Sequence, residues 1–208
     1  MKGSLTIVAF FIAGCLIGWG HLLPSSWVEN DRSIYALYLL MFLVGFGIGR
    51  DRKLKELLTN LRPRFLLIPA ATVLGTLAAS ALVSFLFSKW NMFECMAVGS
   101  GFAYYSLSSI LITEMKTATL GPQLAAELGT ISLMANLFRE IITLLFAPLL
   151  VKCFGPLSPI CAGGATTMDT TLPVIGRYSG KEYVFIAVFH GILIDFSVPF
   201  FVSFFCSL

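Results

Sequence analysis

The residues most suited to chemistry lie in the stretch 161–176, which is set between long apolar segments. Gly163 and Gly164 loosen its backbone and Pro173 removes a hydrogen-bond donor, so an unbroken membrane-spanning helix is not expected here. Four threonines and Asp169 lie between these residues. A carboxylate at the centre of a bilayer costs roughly 2.5–3.5 kcal/mol, so it is expected only where it is paired, hydrated or used. Because transporters place substrate and ion sites in broken helices, we interpret 161–176 as a site segment; a surface loop is the alternative.

A stripe of polar side chains runs along the predicted helix 124–151. Ser132, Asn136 and Glu140 recur every four residues, which places them on one helix face, and Arg139 neighbours the glutamate. A buried glutamate near an arginine can stay ionised and bind a cation, and without such a partner it can exchange a proton. An ion pair that only docks two helices is the alternative, but a polar stripe along three turns favours a binding function.

An earlier segment, 98–113, weakly repeats the pattern of the first one and is also expected to be broken. Residues 101–108 align without gaps on residues 164–171, and Ser106 falls where Asp169 falls. Two glycine-loosened, hydroxyl-rich segments of this kind are expected to face each other across a site near the middle of the membrane. The sequence leaves open whether the repeat is parallel or inverted.

The predicted last helix, 183–206, adds two ionisable residues, His190 and Asp195. They are five residues apart, about 140° around a helix, and so do not share a face. Gly191, Asp195 and Pro199 do share a face, which could pack against the later broken segment. We interpret His190 and Asp195 as a candidate proton relay, with a satisfied structural histidine as the alternative.

These patterns predict candidate substrate- or ion-binding residues that carry carboxylate, amide, guanidinium or hydroxyl groups: Glu140, Asp169, Asn136, Arg139, Ser106, Ser108, Thr167 and Thr170. No metal site or cofactor is expected, because the five cysteines include no Cys-x-x-Cys pair and no phosphate-binding glycine motif occurs. Enzyme activity is not expected either. Ser106 is not in a Gly-x-Ser-x-Gly turn, and neither Asp169 nor Asp195 follows Gly-x-Gly.

The elements that position these residues are expected to be membrane-spanning helices. The chain of 208 residues is 57% hydrophobic and only 12% charged, with a mean hydropathy of +0.88, whereas soluble domains carry about 25% charged residues. This composition predicts an all-α polytopic membrane protein with a single transmembrane domain over residues 1–208. About seven hydrophobic passes are expected, two of them broken: 4–23, 33–49, 65–88, 92–113, 124–151, 157–176 and 183–206.

A basic loop, 50–64, sets the expected orientation. It holds six of the fourteen Lys and Arg residues, and its leucines have the spacing of a short amphipathic helix on the membrane surface: Leu54, Leu57, Leu58 and Leu61. The positive-inside rule places this loop, and Lys116 with it, in the cytoplasm, with the N-terminus inside and the C-terminus outside. Binding of anionic lipid is the alternative use of the loop. Because membrane topology accounts for the net charge of +3, no nucleic-acid partner is expected.

Four stretches in order resemble those of a known family. They are Val44-Gly-Phe-Gly-Ile-Gly-Arg50, Gly99-Ser-Gly-Phe-Ala-Tyr-Tyr-Ser-Leu-Ser-Ser-Ile-Leu-Ile-Thr-Glu114, Asn136-Leu-Phe-Arg-Glu140 and Gly163-Gly-Ala-Thr-Thr-Met-Asp-Thr-Thr-Leu-Pro-Val174. With these motifs the chain resembles the bacterial lysine exporter (LysO) family over nearly its whole length.

The resemblance implies export of L-lysine, and of toxic analogues such as thialysine, across the bacterial inner membrane. It also implies a fold distantly similar to cation/proton antiporters, with the family's intramembrane acids at Glu140 and Asp169. Many relatives carry further N-terminal helices, so a small membrane subunit or a second copy of the chain is an expected partner. Lysine/proton antiport is the expected mechanism, and sodium coupling is left open. The alternative functions are a non-transporting scaffold subunit and a monovalent cation/proton antiporter.

The expected orientation can be tested with single cysteines. In a variant without its own cysteines, Lys53→Cys should resist an impermeant maleimide added to intact cells, because the basic loop is expected to face the cytoplasm. Asn30→Cys should be labelled under the same conditions. Labelling in the opposite pattern would reverse the assigned orientation.

Overall fold

A computed structural model describes residues 63–208, which all belong to one compact unit of the chain. The predicted passes 4–23 and 33–49 lie outside the described residues, as does the predicted surface helix up to residue 62. From residue 63 onward the chain is helical and contains no strand, which confirms the all-α class for this part.

Helices of very different length follow one another in the described part. They are α1 (Leu67–Ser84), α2 (Met92–Gly99), α3 (Tyr105–Leu120), α4 (Pro122–Phe154), α5 (Ser158–Gly163), α6 (Leu172–Tyr178) and α7 (Val184–Ser207). Short 3-10 turns occupy Pro63–Leu66, Gly164–Met168 and Lys181–Tyr183.

Two helical stretches of the described part are long and apolar enough to cross a membrane. They are α1 and the continuous stretch Lys181–Ser207, which contains α7. The helix α4 is longer, with 33 residues, and would measure about 50 Å. It begins after Gly121 and ends before Gly155, both at positive φ, and Pro122 occupies its first turn. The total of seven passes stays a prediction.

Helix breaks fall inside both segments for which the sequence predicts a discontinuity. In the first break, residues 100–104, α2 has ended at Gly99 and the backbone turns through positive φ at Phe102 and Ala103 before α3 begins. In the second break, residues 164–171, the chain leaves α5 through the 3-10 turn and passes Asp169 before α6 begins. The two breaks differ in backbone, since positive φ occurs at Gly164 in the second.

The two breaks touch each other through their main chains. The N–H of Ala165 donates to the carbonyl of Phe102 at 2.9 Å. Gly164 lies against the same carbonyl with a φ of +59°, and a Cβ built on it would lie 2.1 Å from the Phe102 oxygen. Glycine is therefore required here for its backbone conformation and for the close approach.

Helix α7 is packed against the second break. A Cβ built on Gly191 would lie 2.6 Å from the backbone nitrogen of Met168, so the two backbones are in close contact. The face of α7 that carries Gly191 and Asp195 thus adjoins the broken segment. The sequence analysis gives this packing as possible for that face. Fully buried side chains of α7 such as Phe189, Ile194 and Val198 extend this contact into the core.

The placement of Lys116 outside the helices is wrong, whereas its side of the membrane stays a prediction. Helix α3 continues to Leu120, and Lys116 lies on it with 5% of its surface exposed. The residues after 113 favour helix, and the first strong breaker is Gly121, at a φ of +81° and followed by Pro122. Lys116 therefore does not contribute an exposed charge to the positive-inside count.

Gly164→Ala should destabilise the protein by about 2 kcal/mol or more, because the positive φ and the contact with the Phe102 carbonyl both oppose a side chain. Gly155→Ala is the matched control: its φ is +87°, but nothing lies within 4 Å of the added carbon. Thermal unfolding of the detergent-solubilised protein measures both. Equal losses in the two variants would mean that the contact between the breaks contributes nothing.

Candidate functional site

The polar stripe of α4 faces the protein interior. Ser132, Asn136, Glu140 and Thr143 are all buried, whereas Phe138 on another face of the helix is exposed. The stripe passes α2, α3 and α6, which are the elements that flank the two breaks. The four-residue spacing in the sequence therefore corresponds to one buried face of α4.

Asn136 holds the first break in place. Its amide nitrogen donates to the carbonyls of Val98 at 3.0 Å and Ser132 at 2.9 Å, and its oxygen accepts the N–H of Ala103 at 2.8 Å. These bonds use both amide hydrogens and the oxygen. The amide of Asn136, a residue predicted to bind substrate or ion, is thus fully used by backbone groups, among them the N–H of Ala103, which the break leaves without a helical partner.

Arg139 does not form an ion pair with Glu140. Its Nε donates to the carbonyl of Ala162 at 2.8 Å and a terminal nitrogen donates to the carbonyl of Cys161 at 2.9 Å. Both carbonyls belong to the last turn of α5, where a cation is favourable. The guanidinium also lies 5.9 Å from the centroid of the Phe102 ring, in the first break. Arg139 therefore connects α4 to both breaks.

The predicted serines have different surroundings. Ser108 is buried and accepts a hydrogen bond from Ser132 at 3.1 Å, which ties α3 to the stripe of α4. Ser106, which the repeat aligns with Asp169, is exposed in the first turn of α3. Of the two, Ser106 is the one accessible to a ligand.

Asp169 lies near one acid on each of two other elements. Asp169 of the second break interacts electrostatically with Glu140 of α4 and with Asp195 of α7. Asp169 accepts a hydrogen bond from the hydroxyl of Thr170 at 3.0 Å, and the side chain of Thr170 also lies near that of Glu140. Asp169 is exposed, whereas Glu140 and Asp195 are buried, with 7% and 5% of their surface exposed. Residues 63–208 hold no group of three or more His, Cys, Asp or Glu side chains arranged for a metal ion.

Two tyrosines that the sequence analysis did not single out as site residues flank these acids. Tyr104 ends the first break and interacts electrostatically with Asp195 and Asp169. Tyr105 begins α3 and interacts with Glu140 and Asp169. Their position next to a helix break was the available signal, since aromatic hydroxyls beside irregular backbone at membrane depth can face a site.

His190 is fixed by hydrogen bonds rather than placed beside Asp195. One ring nitrogen lies 2.9 Å from the hydroxyl of Thr72 on α1, and the other lies 3.3 Å from the hydroxyl of Thr167. The hydroxyl of Thr167 also reaches the carbonyls of Gly164 and Ala187. These bonds join α1, α7 and the second break, and a role of His190 in proton transfer stays a prediction.

A cavity of about 800 Å³ lies beside this region, between α1, α2 and α4. Its walls are mostly apolar, and Asn136 and Arg139 are among its few polar side chains. Glu140, Asp169 and Asp195 do not line it. The cavity is therefore separate from the cluster of acids.

The chain is apolar, and its described part is all-helical, with interrupted helices and buried acids beside the interruptions. These features are typical of a membrane protein of the transporter class. The family is given by direct comparison. A model of the family "Lysine exporter LysO" matches residues 8–206, and the chain belongs to that family. The name of the family describes a transporter, and no catalytic family is indicated. Within it, the expected similarity to cation/proton antiporters stays a prediction, because no solved structure matches the chain.

Two relatives show how much of the chain is shared. Lysine exporter LysO of Escherichia coli K12 is 32% identical over 208 residues, which cover 98% of this chain and 64% of that protein. A protein of Haemophilus influenzae Rd, provisionally named a lysine exporter, is 31% identical over 204 residues, which cover 97% of each chain. The chain thus spans about two thirds of the length of the first relative and nearly all of the second.

Asn136→Ala should lower the stability of the protein, because it leaves the N–H of Ala103 without a partner, at about 1–3 kcal/mol. It also removes one of the two donors to the carbonyl of Val98, which keeps the N–H of Gly101. Thr130→Ala is the control on the same helix, since the hydroxyl of Thr130 is exposed and bonds only the carbonyl of Ala126. Thermal unfolding in detergent compares the two. An unfolding temperature for Asn136→Ala equal to that of Thr130→Ala would contradict the conclusion that Asn136 holds the first break in place.

Proposed function

We propose that this chain exports L-lysine, and toxic analogues such as thialysine, across the bacterial inner membrane. Membership of the lysine exporter family and the names of the two relatives support the substrate. The observation that carries the proposal is the proximity of Glu140 and Asp169, which lie on α4 and the second break and interact with each other. Two acids at a helix break can bind a cationic substrate that crosses the membrane.

The charged groups of lysine match the groups around this point. Lysine carries two ammonium groups, and the carboxylates of Glu140 and Asp169 can accept hydrogen bonds from them, with the hydroxyl of Thr170 between the acids. The carboxylate of lysine would bind at the first turn of α3, where backbone N–H groups and the exposed hydroxyl of Ser106 are available. Asn136 and Arg139 position the breaks and do not contact the substrate in this proposal.

Exchange of lysine for protons is the proposed mechanism. A proton that reaches one of the acids from the outside neutralises its charge, which weakens the hold on the ammonium group and releases lysine there. Return of the protonated carrier and loss of the proton inside complete the cycle. Sodium in place of the proton is the second possibility for the coupling ion. Dependence of lysine efflux on an imposed proton gradient, in vesicles without sodium, separates the two.

A non-transporting scaffold is the competing function. A scaffold has no use for acids at helix breaks, because such groups are costly to keep in a membrane. The proposed exporter would work with a small membrane subunit or with a second copy of the chain, and copurification from membranes would identify either one.

Glu140→Gln and Asp169→Asn should each abolish lysine efflux while the protein accumulates normally in the membrane. Neither substitution leaves an unpaired arginine, because Arg139 binds carbonyls of α5. Glu127→Gln is the control on α4, where an exposed glutamate pairs with Lys89. The measurement is efflux of labelled lysine from loaded cells together with the abundance of each variant.

Normal efflux in both acid variants would remove Glu140 and Asp169 from the mechanism. Reduced abundance with normal efflux per molecule would instead assign them a structural role. Loss of efflux in Glu127→Gln as well would mean that the assay responds to any loss of negative charge on α4.

A further inference from the structure

Asp195 is a buried acid without a partner of its own. Only 5% of its surface is exposed, and within residues 63–208 its carboxylate makes no hydrogen bond and no ion pair. The carboxylate oxygens keep a little accessible surface, so a ligand can reach them. A carboxylate with so little exposure and neither a donor nor a counter-charge is costly, so a cation or a proton is expected to accompany it. The function proposed above uses Glu140 and Asp169 and leaves this third acid without a role.

Packing fixes where Asp195 points. Gly191, one turn earlier on the same face of α7, is in close contact with the backbone of Met168, which directly precedes Asp169. The same turn of α7 is held by the hydrogen bonds of His190 to Thr72 and Thr167. Asp195 is therefore held beside the second break, and it interacts with Asp169 across that contact.

Tandem tyrosines divide the acids into two groups. Tyr104 interacts with Asp195 and Asp169, whereas Tyr105 interacts with Glu140 and Asp169. The hydrogen bond between Ala103 and Asn136 and the bond between Phe102 and Ala165 hold the backbone that carries Tyr104. Asp169 is common to both groups, and it interacts with each of the other two acids.

We infer that Asp195, Asp169 and Tyr104 form a second ammonium subsite, next to the one formed by Glu140, Asp169 and Tyr105. In this refinement Glu140 and Asp169 do not take one ammonium group each: the Glu140 subsite takes the α-ammonium group and the Asp195 subsite takes the side-chain ammonium group, with Asp169 shared. Such a pair of subsites makes the chain selective for diammonium amino acids. This inference rests on the proposed function and deepens it by assigning the residues that read the second charge. Carboxylates and tyrosine rings and hydroxyls are suitable partners for a primary ammonium group.

The test compares lysine with norleucine, which has the same carbon chain but lacks the side-chain ammonium group. Equilibrium binding of labelled L-lysine to the purified full chain, with norleucine as competitor, gives the preference, and efflux from vesicles gives KM and the maximal rate. Asp195→Asn should weaken lysine binding and raise KM roughly tenfold or more, as expected for the loss of one charge-assisted contact. The affinity for norleucine should not change. Tyr104→Phe should give a smaller loss, and Glu127→Gln none.

A second variant tests the length of the substrate. Asp195→Glu keeps the charge but extends it by one methylene, so the preference should shift from lysine towards ornithine, which is one methylene shorter. If Asp195→Asn does not accumulate, this shift and the effect of Tyr104→Phe decide the question. A structural role would lower abundance without moving either preference.

The outcomes distinguish failure of the proposed export of lysine from failure of the second subsite. Wild-type protein that neither binds nor exports lysine overturns the proposed function and the subsite with it. Wild-type export together with unchanged lysine affinity and selectivity in Asp195→Asn, Asp195→Glu and Tyr104→Phe overturns the subsite alone. A change in maximal rate or in its pH dependence at constant lysine affinity also overturns it, since that pattern assigns Asp195 to the proton.

Discussion

An interrupted helix inside a membrane leaves backbone N–H and C=O groups that water cannot satisfy, and the described structure is arranged around that constraint. Asn136 supplies both a donor and an acceptor to the first break. Arg139 takes the last carbonyls of α5 before the second break. Other groups bond within each break, and the two breaks bond each other through the main-chain hydrogen bond between Ala165 and Phe102.

Some polar residues of this region therefore hold the breaks in place, and others are left to bind a ligand. The amide and the guanidinium of α4 are engaged by backbone groups, so the ligand-binding potential of the stripe rests on Glu140. Asp169 directly follows the 3-10 turn, whose second residue, Ala165, is hydrogen-bonded to Phe102. The main-chain hydrogen bond between Ala165 and Phe102 thus positions the segment that carries the exposed carboxylate of Asp169, without a counter-charge.

The periodicity of polar residues and the helix-breaking residues predict the buried face of α4 and the helix ends. The four-residue spacing of Ser132, Asn136 and Glu140 predicts one face, and that face is buried; glycines near the interruptions mark where the helices end. The partner of Arg139 could not be predicted, because a sequence shows which face a side chain occupies but not which neighbouring helix it meets. Lys116 was misplaced for a related reason, since a charged residue does not end a helix unless a breaker follows.

The contact between Phe102 and Ala165 has a consequence for genetics. Because it joins two main-chain groups, exchanging the side chain at either position leaves the donor and the acceptor in place, and only proline at position 165 would remove the N–H. A random mutagenesis screen for loss of export would therefore rarely report this contact at the two residues that make it. It would be visible instead at Gly164, whose missing side chain makes room for it.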